Sequence, residues 1–316
     1  MSSLRSLARP LPARAVTAVA LLLLLAACSS GADPTEDSTA RASADLESRV
    51  DKLEKEVKSF EAKHGTEEVA EAAETGHGAA AGAEHTVEKG HFTYEGEAGP
   101  EKWAELDAAW QTCATGEAQS PTNLTGGRGI DLTDAVFNYK PSAVTAVNNG
   151  HTVQVDVADG GSLTLDGKAY SLKQFHFHRP SEHTIEGKAS EMELHLVHAD
   201  ADGKLAVVGV MLDLGAANTG LEPVWAKLPA EANAKEVLGA PFDAATLLPA
   251  KHAAYRYQGS LTTPPCSEGV EWSVLEETVT LSAEQAQAFG AIFTGGNARP
   301  VQGLGTRALL TDSISG

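Results

Sequence analysis

The chain has 316 residues, 42% of them hydrophobic and 21% charged, with 43 acidic side chains against 24 basic ones and a net charge of −19. So acidic a molecule repels phosphate backbones, which excludes nucleic acid as a partner. The length suits one domain of ordinary size with appended segments. In chain order the first predicted element is an export signal over residues 1–27. Arg5, Arg9 and Arg14 form its basic region, and residues 15–27 form an apolar stretch too short to span a membrane. Its removal deletes three arginines and no acid, taking the net charge from −19 to −22.

Leu25-Ala26-Ala27-Cys28, followed by Ser29-Ser30-Gly31, resembles a lipobox. Cys28 is therefore expected to carry a lipid that anchors an exported chain outside the cytoplasmic membrane or in the periplasm. The membrane would be touched through that lipid alone. A plain secretory signal, releasing a soluble protein, is the alternative that the same residues allow. Residues 28–90 read as a lipid-anchored stalk and linker. Within it Leu46, Val50, Leu53, Val57 and Phe60 recur at steps of four, three, four and three, a heptad seam among charges of both signs. The pattern predicts a short coiled coil at 46–60 and, through it, a homo-oligomer. A single solvated helix fits as well, because so few heptads are marginal alone. Residues 64–90 read as flexible linker.

Residues 91–316 form the remaining domain. Alternating or apolar runs at 151–157, 162–166, 171–178, 191–197, 205–212 and 270–275 predict strands, and 218–228 and 282–292 predict helices. The fold class is α+β and dominated by β-structure.

The informative segment is Gln174-Phe175-His176-Phe177-His178, with Glu193-Leu194-His195 downstream. Residues two apart on a strand share a face, so Gln174, His176 and His178 fall on one side and the two phenylalanines on the other. An antiparallel neighbour would bring His195 alongside, with Glu193 on the same face. Three neutral imidazoles converging on a point make a zinc site with an open fourth position. Gln174 and Glu193 are placed to hold ring N–H groups behind it. His183 and His198 read as structural, His198 because it points to the opposite strand face from His195.

QFHFHRPSEHTIEGK at 174–188, ELHLVH at 193–198 and YQGSLTTPPC at 257–266 together resemble the α-class carbonic anhydrases. GPEKW at 99–103, QSP at 119–121, NNGH at 148–151, AVVGVML at 206–212 and NARP at 297–300 recur in that family's order. The resemblance covers residues 90 to 310 or so. It implies a central twisted, mostly antiparallel sheet of about ten strands, few short helices, and Zn2+ at the bottom of a conical cleft. The implied activity is the reversible hydration of CO2 to bicarbonate and a proton by hydroxide held on the zinc, the reaction of a carbonate dehydratase, which is a zinc lyase. Hydrolysis of activated esters would follow as a side reaction.

By the same resemblance Thr262 donates its hydroxyl proton to Glu182 and orients the attacking group, and His151 exports the proton. Asn149, Gln154 and Tyr94 would support the polar wall. Val197, Val207, Val270, Leu261, Thr263 and Trp272 would line the CO2 pocket. Cys113 and Cys266 resemble a bridged pair in bacterial members, and an oxidising compartment permits the bond. A recognition module that has lost a zinc ligand is one alternative, and an envelope lipoprotein whose stalk matters most is another. The joint presence of His176, His178, His195, Glu182 and Thr262 separates the enzyme from the first of these.

Overall fold

The computed structural model describes residues 90–133 and 135–312. The predicted signal peptide, Cys28, the 46–60 heptad and nearly all of the linker lie outside the described residues. Among the described residues no helix is long and apolar enough to cross a membrane.

Among the described residues sixteen strands follow one another. They are β1 (Asn123–Leu124), β2 (Arg128–Ile130), β3 (Val136–Tyr139), β4 (Val144–Asn148), β5 (Val153–Val157), β6 (Gly161–Leu165), β7 (Lys168–His178) and β8 (Thr184–Ile185). The second half supplies β9 (Lys188–Ala189), β10 (Met192–Ala199), β11 (Leu205–Leu214), β12 (Lys235–Val237), β13 (Ala254–Ser260), β14 (Glu268–Leu275), β15 (Val279–Leu281) and β16 (Leu310–Asp312). Ten of them lie in line, in the order β12-β4-β5-β7-β10-β11-β14-β13-β16-β2. β6 pairs with β7 and carries β3, β15 adds to β11, and β1, β8 and β9 form a separate small sheet. The large sheet is mixed: β11 runs parallel to β14 and β15, and β16 parallel to β2, while every other pairing in it is antiparallel.

Each predicted strand is present, with ends moved by a few residues. The long pair β7 and β10 forms the centre because both of its faces are covered. On one face Phe175, Phe177, Leu194 and Leu196 enter the larger apolar core, where Phe177 meets Trp225 edge-on at 4.9 Å and Phe175 stacks on Phe242 at 5.5 Å. On the other face Val197, Val207, Trp272 and Val274 belong to a second apolar cluster. A strand buried on both sides needs no polar alternation, which accounts for the nearly unbroken burial of β10.

Helices are short. The helix expected over 218–228 contracts to α3, after α1 (Trp103–Leu106) and α2 (Thr112–Thr115): α3 spans only Glu222–Trp225. Pro223 suits a helix start and Pro229 disfavours helical backbone at Leu228, so one turn is what remains. The second expected helix is α4 (Ala283–Gly290), begun by a reciprocal cap in which Ser282 Oγ accepts from Gln285 N and Gln285 Oε1 accepts from Ser282 N. α1 and α2 were not anticipated, because four residues hold too little periodicity to read.

Candidate metal centre

Register brings the histidines together. β10 pairs antiparallel to β7 with His195 opposite His176 and Glu193 opposite His178. The period of two then sets all three imidazoles on one face. Their centroids are 5.1 Å apart for His176 and His178, 5.2 Å for His176 and His195, and 4.7 Å for His178 and His195. Each ring offers one nitrogen to a common space, and those nitrogens lie within 4.8 Å of one another.

Which nitrogen each ring offers is set from behind. Gln174 Oε1 stands 2.9 Å from His176 Nδ1, and the Asn297 carbonyl 2.7 Å from His178 Nδ1. Both oxygens accept, so the Nδ1 atoms carry hydrogen and the Nε2 lone pairs are left for a metal. On the third ring Glu193 Oε1 stands 2.9 Å from Nε2, which turns Nδ1 inward. His178 Nε2 is buried with no hydrogen-bond partner among the described residues. A buried lone pair without a donor is costly unless a cation fills the space. Burial, reinforced by the neighbouring rings, holds His176 well below the ordinary histidine value, and burial brings His178 down to about 4. His195 is lowered as well, again mainly by burial. Neutral, inward-facing nitrogens are the donor set that zinc prefers.

Glu193 forms a second layer. It is fully buried and accepts from the backbone N–H groups of Glu182 (2.9 Å) and His183 (2.8 Å), while His183 Nδ1 lies 2.7 Å from its Oε1. Burial alone would push its carboxyl up, but His183 and His195 outweigh that and hold it well below the usual carboxylate range. His183, Glu193 and His195 also lie close enough together to suggest a metal site. The hydrogen bonds already occupy the facing atoms: His183 Nε2 is 2.7 Å from Tyr257 Oη, and Glu193 is saturated with donors. The group is a support for His195. Room for it comes from Gly209, opposite His195, where a Cβ would fall 2.9 Å from Glu193 Oε1.

Glu182 Oε1 accepts the Arg299 backbone N–H at 2.9 Å, and its Oε2 lies 3.4 Å from His178 Nε2 and 3.9 Å from His195 Nδ1. Burial lifts its carboxyl to about 7, against the lowering pull of His195, of the Arg299 N–H and of the Thr262 hydroxyl nearby. A cation among the three rings would pull it back toward the ionised form.

A cavity of about 200 Å³ opens over the rings. Its polar wall includes Tyr94, Asn149, His151, Gln154, Gln174, Thr262 and Thr263, and its apolar wall includes Val197, Val207, Leu261 and Trp272. Val197, Val207 and Trp272 are cross-strand neighbours in one row over β10, β11 and β14, so the apolar wall is a strip of sheet. Val270 does not line this cavity; it packs into the apolar cluster behind it. The register explains this, because Val270 lies opposite Gly259, two residues along β14 from Trp272 and toward its outer end. His198 faces the other way, with Nε2 2.7 Å from Tyr139 Oη and Nδ1 3.2 Å from the Ala206 carbonyl.

His151 sits at the cavity mouth, its ring stacked on Phe92 at 3.7 Å between centroids and 7° between planes. Burial, then the nearby His91, lowers its pKa from 6.5. Asn149 Oδ1 accepts from the backbone N–H groups of His151 and Thr152, which shapes the turn that carries the histidine. Gln154 spends its amide on Asp156, and Tyr94 Oη has no hydrogen-bond partner among the described residues. Cys113 and Cys266 are disulfide-bonded, with Cα atoms 5.0 Å apart, which ties the loop after Thr262-Thr263 to α2.

Two working residues escaped sequence reasoning. Asn297 gives its carbonyl to His178 and its amide to the carbonyls of His151 and Phe177. Arg299 fixes Glu182 by its backbone and reaches Gln119, Ser120 and Cys113 with its guanidinium. Both stand in the NARP motif at 297–300, the one signal that could have found them. The contact that each makes to the centre runs through its own backbone, a carbonyl to His178 and an N–H to Glu182, which side-chain identity does not report.

Residues 98–313 match the sequence profile of the family described as eukaryotic-type carbonic anhydrase. The carbonic anhydrase of Neisseria gonorrhoeae is 44% identical over 237 residues, covering 75% of this chain and 92% of the relative. That of Pectobacterium atrosepticum is 41% identical over 220 residues, covering 70% and 90%. Among solved structures, the α-carbonic anhydrase of Thermovibrio ammonificans in complex with sulfanilamide superposes with a TM-score of 0.68 at 43% identity, covering 70% of this chain and 98% of that one. A hyperthermostable carbonic anhydrase from an active hydrothermal vent chimney gives a TM-score of 0.69 at 44% identity, covering 71% and 100%.

Proposed function

The chain belongs to the eukaryotic-type carbonic anhydrase family, and from that premise we propose that it hydrates CO2 reversibly with a zinc ion held by His176, His178 and His195. The observation that carries the reading is the inward convergence of three neutral ring nitrogens, each fixed from behind by Gln174, Asn297 or Glu193. When bound, zinc supplies the Lewis acid that makes water a nucleophile at neutral pH.

The chain's own residues do the rest. Thr262 donates its proton to Glu182, which leaves its oxygen to accept from whatever group attacks CO2. That hydrogen bond aims the attacking lone pair away from Thr262 and toward the cavity. Val197, Val207, Leu261 and Trp272 offer an apolar wall to an apolar gas and keep competing water out. Thr263 belongs to the polar wall of the same cavity. His151 takes the departing proton to solvent. It is mostly neutral at pH 7 and therefore able to accept, because its pKa is lowered.

His176→Ala tests the centre. The variant is expected to keep the circular dichroism of the parent, to lose stoichiometric zinc by elemental analysis and to lose CO2 hydration. Full activity in that zinc-free variant would overturn the proposal.

Export and anchoring at Cys28 belong to the same reading, supported by the lipobox-like run Leu25–Cys28. The 46–60 heptad would then stand between lipid and enzyme and join copies of the chain. Mass spectrometry of the mature N-terminus is expected to find a diacylglyceryl group on Cys28; an unmodified terminus elsewhere would leave a secreted enzyme.

A further inference from the structure

A charge on the far side of β13 and β14 has no part in the chemistry above. The Arg256 side chain is only 10% exposed. Its Nη2 donates to the Thr133 carbonyl at 2.8 Å, but Nε and Nη1 are buried without a hydrogen-bond partner among the described residues. Among the described residues the acid paired with it, Asp166, stands 3.6 Å from Nη1 with its own side chain 72% exposed. Directly across the strand pair from Arg256 is Ser273, whose Oγ is also buried and unpartnered.

Arg256 and Ser273 both line a cavity of about 550 Å³, whose lining shares only Trp272 with that of the histidine cavity. The other charges there are engaged. Lys168 pairs with Asp200, Glu271 accepts from Gln258, and Arg307 donates to the carbonyls of Leu304, Gln258, Gln119 and Gly303. A guanidinium keeps its charge at any working pH, so burial with N–H groups unpaired calls for an acceptor. A neutral water would satisfy the N–H groups but not the charge, and an oxyanion meets both needs.

We propose that this cavity binds one small oxyanion, held by the free N–H groups of Arg256 and the hydroxyl of Ser273. Asp166 competes with it for the guanidinium, at the rim. The inference does not rest on the zinc reading.

Inorganic phosphate, bicarbonate and acetate, each titrated calorimetrically into the full chain at fixed ionic strength, test it. Repeating each titration after chelation separates this site from the histidine cavity, because binding here persists without metal. One saturable site is expected. Asp166→Asn should tighten it at least about threefold, the size of removing one partly screened like charge. Asparagine also tolerates the left-handed backbone that Asp166 adopts at φ 48, so this variant folds as the parent does. Ser273→Ala should weaken binding by a similar factor, and Arg256→Gln should abolish it. Preference for phosphate would identify a tetrahedral ligand, and preference for bicarbonate and acetate a planar one; either supports the site. Absence of saturable binding by all three anions, or binding that Asp166→Asn and Ser273→Ala leave unchanged, would overturn it.

Discussion

His176, His178 and His195 differ in what stands behind each of them, and that difference decides their tautomers. Gln174 and Glu193 were legible, because they share a strand face with their histidines and strand periodicity alone puts them within reach. The third holder, Asn297, was not: it acts through a carbonyl, which every residue possesses. Nor was the saturation of Glu193 by His183 and two backbone donors, since those arise from a loop folding back over the strand. The role proposed for His151 yields the sharpest test at this scale. His151→Ala is expected to slow turnover where proton export limits the rate, and added imidazole buffer to restore it. In the parent, turnover should fall as the pH drops through a midpoint below the ordinary 6.5, because protonated His151 cannot accept. A variant slowed with no rescue by imidazole would remove His151 from the role.

Elements place these residues, and β7 does so by serving two environments at once. Over Gln174–His178 its odd positions fill the larger core while its even positions reach the cavity, so alternation of phenylalanine and histidine reports both. The strands were legible for that reason. The helices were less so, because one-turn helices hold no repeat and prolines cut α3 short. The disulfide belongs here too, since it joins α2 to the loop that carries Thr262 and Thr263 across a separation of 153 residues. Closing so long a loop restricts the unfolded chain, with a ceiling of about 5 kcal/mol in the chain-entropy account. The Cys113→Ser/Cys266→Ser double variant is expected to lose 2–5 kcal/mol in denaturant unfolding, an order-of-magnitude range for native bridges of this kind. An unchanged midpoint would mean that the bridge contributes nothing beyond the packing of Cys266.

Across the described domain, ten strands in line make a platform wide enough for one face to carry both the histidine triad and the apolar wall beside it. That much was legible from motif order. The parallel joins of β11 to β14 and of β16 to β2 were not, because distant segments meet there without any local pattern to announce it. The acidic composition sits easily with CO2, a neutral substrate that needs no electrostatic steering. The central claim is that three uncharged rings hold the metal on which catalysis depends. CO2 hydration by the full chain, followed before chelation, after chelation and after one equivalent of zinc is returned, tests it most directly. Activity should vanish with the metal and return with it in proportion to zinc bound; hydration persisting at the parent rate in verified metal-free protein would contradict the claim.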